Sequence, residues 1–267
     1  GSILLGHNHF IFQNSIKKFL KKKISNFAAP NFYAETFSKK IKTVIPHAHQ
    51  LIFCNSGSEA VIKSLRIARA INNNPKICYT SGSWHGSVDQ FLYKSNKNLK
   101  AVKLSSGLPD ETLKNLILLP FNNLEKTKEI LNKNKKKISS IIIEPIQGSL
   151  PNHEIKKYLK FLSRYSKKNN ITLIFDEMIT GIRTDCSSIQ NYFGINAEIS
   201  TFGKCFGGGL PIGIISISKK ISKKLEKIKP KVFFGGTFSG NSMSTYVGND
   251  VLDYIIKNKK KIFSKIN

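Results

Sequence analysis

The 267-residue sequence has little cysteine, little arginine and little acid. Its four cysteines, Cys54, Cys78, Cys186 and Cys205, are scattered without a C-x-x-C pair. That excludes a zinc ribbon or a disulfide framework as the organising device. No apolar run nears the roughly 20 residues that cross a bilayer. The opening GSILLGHNHF lacks the basic segment and long apolar core of a secretory signal. The chain therefore reads as cytoplasmic, with no membrane partner. Sixteen acids face 43 lysines and arginines, a formal net charge of +27. Arginine, however, occurs only at Arg66, Arg69, Arg164 and Arg183. Nucleic-acid surfaces favour arginine forks and interleaved aromatics. An excess made of lysine, alongside much Asn and Ile, is what A/T-rich codons supply, so no nucleic-acid partner is expected. The opposite reading would show as affinity falling steeply with salt.

The hydrophobic content of 40% is enough for one large α/β domain. Apolar spacing predicts helices over Phe12–Lys23 and Glu35–Val44. QLIFCNS at 50–56 reads as a buried strand running straight into the helix GSEAVIKSLRIARAI. Further strands are expected at KICYTS, at ISSIIIEP (138–145), at TLIFDEM (172–178) and near Ile199–Phe202. Helices are expected at IKKYLKFLSRYSKKN, from Lys219 and along the tail from Val251; PIGIISIS is an apolar stretch. Continuous apolar strands alternating with amphipathic helices indicate a mostly parallel sheet with helices outside. Ligands of such sheets gather beyond the carboxyl ends of the strands.

Those ends carry unusual polar groups. Ser56 and Glu59 fit the S-x-x-E capping box, and the same free helix end suits an anion. Asp176 follows a run that should be buried, so it needs a partner: a cation such as Arg183, or a protonated ring nitrogen of a ligand. Glu144 ends another apolar strand, where it can bond a loop backbone. Lys204, in TFGKCFGGGLPIG, stands apart from the lysine runs among glycines and apolar residues. It is either a surface lysine on a glycine loop or an amine kept partly dry for attack on a carbonyl. His7-Asn8-His9 and His47-Ala48-His49 are H-x-H pairs without an evident third ligand, so no metal is expected. An anion cup, a buried aspartate and an isolated lysine are together what pyridoxal phosphate requires.

Six stretches in order, FCNSGSEAVIKSLRIARA, WHGSVD, IIIEPIQG, LIFDEMITGIR, TFGKCFGGGLPIG and GGTFSGNSMS, resemble the class III pyridoxal-phosphate aminotransferases. Within them the chain is most similar to the glutamate-1-semialdehyde 2,1-aminomutase branch. The resemblance implies a fold-type-I large domain with a mostly parallel sheet, a homodimer, and a small amino or keto substrate. It implies that Lys204 bonds the cofactor and moves the substrate proton, and that Asp176 pairs with the ring nitrogen. Ser56, Gly57 and Ser58 would hold the phosphate, with Thr237 reaching it from the partner subunit. Trp84 and Met178 would flank the ring, with His85 and Glu144 beside it. Taken alone, Trp84 is equally a core or interface aromatic, and His85 a capping or structural histidine.

Three departures stand out. Trp84 occupies a position usually held by Tyr or Phe. Ser149 and Ile179 stand where many ω-aminotransferases carry Glu and Gln; the aminomutases usually have Asn at the first. The resemblance also divides the chain into a helical segment over 1–45, a cofactor domain over 46–245 and, over 246–267, the start of a helix leading to a small domain. Against the family it reads as shortened at both ends. Amino transfer between two molecules, and a non-catalytic remnant of the fold, are therefore the alternative expectations.

Overall fold

Alternation within the apolar runs sorts the side chains to two faces of one sheet. The structure, a computed structural model, describes residues 3–24, 31–96 and 100–265. In chain order the elements are α1 (Phe10–Leu20), α2 (Phe32–Val44), β1 (Gln50–Cys54), α3 (Gly57–Asn72), β2 (Lys76–Thr80), β3 (Tyr93–Ser95), β4 (Ala101–Lys103), β5 (Leu116–Leu119) and α4 (Leu124–Asn134). They continue with β6 (Ile138–Ile143), α5 (Lys156–Lys168), β7 (Thr172–Asp176), α6 (Ile189–Phe193), β8 (Ile199–Gly203), β9 (Gly213–Ile217), α7 (Lys219–Lys227), α8 (Ser242–Lys257) and α9 (Lys259–Phe263). The first helix starts earlier than its apolar spacing suggests. His9 caps it, with Nδ1 accepting from the Ile11 N–H at 3.3 Å, and the Lys21–Lys23 run lies beyond its last turn.

Seven strands form the main sheet in the order β1-β9-β8-β7-β6-β2-β5. β5, β2, β6, β7 and β8 are mutually parallel. β9 runs antiparallel to β8 and to β1, so β1 points the same way as the parallel five. β3 and β4 pair as a separate two-stranded ribbon.

Ile77, Ile142, Ile174, Ile199 and Ile215 meet α3 on one face. Their sequence neighbours Cys78, Ile141, Leu173 and Phe175 face the other way, onto α5 through Tyr158, Leu159 and Leu162. At the β1–β9 end of that second face, Phe202 and Ile214 join Phe37, Ile41, Val247 and Val251 of α2 and α8. The result is helix, sheet, helix. Helices on both faces leave the strand ends as the place where polar groups can gather.

α3 is amphipathic and firmly begun. Ser56 caps it, accepting from the Glu59 N–H at 3.2 Å. The return bond of the capping box lands one residue early, with the Glu59 carboxylate accepting from the Asn55 N–H at 2.7 Å. The Ser56 N–H therefore stays out of the reciprocal pair. α8 runs without a break through residue 246 and packs on α1 and α2. The last two residues of the expected tail helix, 266–267, lie outside the described residues.

Candidate active site

Four strand ends and one connection converge on one cleft of about 330 Å³. β1 delivers Ser56, Gly57 and Ser58; β2 delivers Trp84 and His85; β7 delivers Asp176 and Met178; β8 delivers Lys204; and the β8–β9 connection delivers Leu210, Pro211 and Ile212. Eight of the ten site residues expected from the sequence line it. The other two lie elsewhere. Glu144, at the end of β6, stands behind Trp84, with its oxygens on loop backbone, and Thr237 is exposed outside the cleft.

Asp176 is 3% exposed. A buried carboxylate requires partners, and it has three. His85 Nδ1 is 2.7 Å from Oδ2, while the Met178 N–H and the Thr201 hydroxyl each donate to Oδ1 at 3.1 Å. The cation suggested by the sequence, Arg183, lies instead against Cys205. His85 is the partner that sequence reasoning missed, since 91 residues separate the pair and no local spacing announces it. His85 is itself buried between Tyr79 and Phe91, with ring centroids at 6.4 and 4.8 Å.

Lys204 opens a short 3-10 turn directly after β8, with φ of +46°. A lysine in the left-handed region is uncommon and costs about 1 to 3 kcal/mol when the surroundings impose it. Its side chain is half-buried and belongs to the cleft lining. Gly203 before it cannot gain a Cβ, which would stand 2.8 Å from the Ile212 carbonyl oxygen and 2.9 Å from the Met178 sulfur. Close backbone packing, rather than flexibility, explains that glycine.

Trp84 is 59% exposed, so it is a wall of the cleft and not a core aromatic. Its N–H donates to Glu144 Oε2 at 2.9 Å, and the Gly148 N–H reaches Glu144 Oε1 at 3.4 Å. Burial holds the Glu144 carboxyl above the usual carboxylate range, with Asp176 adding to the effect and the backbone bonds and His85 opposing it. Ser58 Oγ accepts from the Ser87 N–H at 3.0 Å, joining the start of α3 to the Trp84 loop. Asn55, Val61 and Gly86 also line the cleft.

These residues fit pyridoxal phosphate. The free N–H groups of α3's first turn suit its dianionic end. Asp176, buried and fixed by three donors, suits its ring nitrogen, and Lys204 is the amine within the same cleft. Among the described residues, no three His, Cys, Asp or Glu side chains assemble as metal ligands, and no helix is long and apolar enough to cross a membrane.

Known proteins resemble this chain in sequence and in fold. The chain is 36% identical over 269 residues to a glutamate-1-semialdehyde 2,1-aminomutase of Methanosphaera stadtmanae, covering 99% of this chain and 62% of that protein. It is 34% identical over 275 residues to the same-named protein of Archaeoglobus fulgidus, covering 100% and 63%. It thus spans about three fifths of the length of these relatives. Among solved structures, an omega-transaminase from Sphaerobacter thermophilus superposes with a TM-score of 0.85 at 24% identity, over 95% of this chain and 60% of that one. A glutamate-1-semialdehyde-aminomutase from Pseudomonas aeruginosa gives 0.81 at 17%, over 94% and 57%. The class-III aminotransferase family matches residues 1–265, nearly the whole of the sequence. The chain belongs to the class-III aminotransferase family.

Proposed function

We propose that this chain binds pyridoxal phosphate in the cleft and serves amino-group transfer of the glutamate-1-semialdehyde 2,1-aminomutase type. The observation that carries the reading is the meeting of Lys204, Asp176 and the start of α3 in one cavity. When bound, pyridoxal phosphate supplies an electron sink for the substrate carbon that bears nitrogen. The protein supplies placement and proton handling. The first-turn N–H groups of α3, with Ser56 and Ser58, hold the phosphate. Asp176, oriented by Thr201, the Met178 N–H and His85, keeps negative charge at the ring nitrogen. Trp84 and Met178 bound the ring. Lys204 Nζ would hold the aldehyde end of the cofactor and, once the substrate amine has taken its place there, would be free to take and return the proton at the substrate carbon. Glu144 stands behind Trp84, beside the ring's place in the cleft.

Residues 46–245 form the cofactor domain in this reading, with 1–45 leading into it and 246–267 leading away. Thr237, exposed on its loop, reaches the phosphate of a second copy in a homodimer. Four free cysteines suit a reducing cytoplasm.

The test is the visible absorption spectrum after adding pyridoxal phosphate, beside Lys204→Ala. A band in the parent that is absent from the variant is the expected result. No band in either well-folded protein would leave the remnant reading in its place. Product analysis with a single substrate then separates the mutase from transfer between two molecules, since only the mutase needs no second acceptor.

A further inference from the structure

The loop after β2 carries two residues of the site, Trp84 and His85, and it is bracketed from β6. Glu144 Oε2 accepts from the Trp84 N–H at 2.9 Å. Three residues on, Gln147 Nε2 donates to Ser83 Oγ at 3.1 Å and to the Ser81 carbonyl at 3.4 Å. Both bracketing side chains are buried, at 5% and 4% exposure. The wall they hold is not, since Trp84 is 59% exposed. An aromatic that exposed is held little by packing, so its direction is set by its backbone. The bond that fixes that backbone is charge-assisted, the stronger kind. His85 is the next residue, and its ring is the partner of Asp176.

We propose that Glu144 is a positioning residue. With Gln147 as its second arm, it sets the Trp84 wall and the approach of His85 to Asp176, and it makes no contact with the cofactor itself. The IIIEPIQG stretch is then a bracket for the neighbouring loop. The inference refines the reading of the cleft as the cofactor site, but its first measurements need no cofactor, so it can fail while that reading stands, and the reverse.

Trp84 is the only tryptophan of the chain, so intrinsic fluorescence reports on it alone. In the chain without cofactor, Glu144→Ala should lower the fluorescence anisotropy of Trp84 clearly, and Glu144→Gln, which keeps one acceptor, should lower it less. Gln147→Ala should lower it from the other end. Leu159→Ala, in the core under α5, should lower thermal stability and leave the anisotropy unchanged. In the parent, the Trp84 amide should exchange with deuterium as slowly as strand amides, and about tenfold to a hundredfold faster in Glu144→Ala. Fast exchange at Trp84 in the parent overturns the proposal, whether or not any variant folds. So does a Glu144→Gln protein that binds pyridoxal phosphate more weakly while its Trp84 anisotropy stays at the parent value, because that pattern marks direct contact.

Discussion

Lys204 shows what the site demands of a single residue. Its left-handed backbone suits glycine, yet the position carries the lysine of the proposed cofactor site. Lys204→Gly should be more stable than Lys204→Ala by about 1 kcal/mol, measured by denaturant midpoints with unchanged slope. Glu177, one residue beyond Asp176, shows a different demand. It is fully buried and accepts from the Ile189 N–H at 2.7 Å, Gln190 Nε2 at 2.8 Å and the Thr180 hydroxyl at 3.2 Å. Burial pushes its carboxyl up to about 7 despite these donors. A carboxyl raised in the folded state holds its proton more tightly there than when unfolded. Its contribution is therefore complete below about 4.5, the ordinary value, and is lost as pH rises through about 7. The stability gap between the parent and Glu177→Gln should shrink across that window by on the order of 3 kcal/mol, read from melts at stepped pH. Lys204 and Asp176 were legible in the sequence because each breaks an apolar or glycine-rich context. The His85–Asp176 pair and the Glu177 network were not, because tertiary folding alone creates them.

At the scale of elements, the start of α3 joins stability to binding. Ser56→Ala removes the cap and should cost about 1 kcal/mol of stability, with weaker pyridoxal phosphate binding by titration as a second readout. Gly213 sets the distance between β9 and that same turn. A Cβ there would run into the Ser56 carbonyl, which is backbone and cannot swing aside. Gly213→Ala should destabilise by about 3 kcal/mol and weaken cofactor binding more than Ser56→Ala does. β1, expected as a buried strand, is an edge strand of the sheet, and of its five residues Cys54 alone is buried. β2, β6, β7 and β8 were readable as strands because their apolar runs are bounded and buried on both faces. β5 was not, since LILL is a four-residue run that a strand and a helix share. Nor was the short β3–β4 ribbon. β9 was visible only as an apolar stretch, because direction within a sheet leaves no mark on composition.

For the whole molecule, charge is the dominant excess. With a formal net charge of +27, self-repulsion opposes the compact state. Added sodium chloride, to about 0.15 M, should raise the melting temperature through screening, and the rise should shrink when surface lysines are replaced by glutamine. The sheet order has a consequence of another kind. β1, which launches the turn proposed to hold the phosphate, pairs with β9, so Gln50 must find Ile217. Contacts so distant along the chain form slowly, because a long loop has to close before they reward it. On a ribosome, β1 leaves the exit tunnel early and waits as an unpaired edge until β9 emerges. The cleft is then among the last features to take shape, and a nascent chain stalled before β9 would have its aspartate and its lysine but no neighbouring strand to seat the start of α3 beside them.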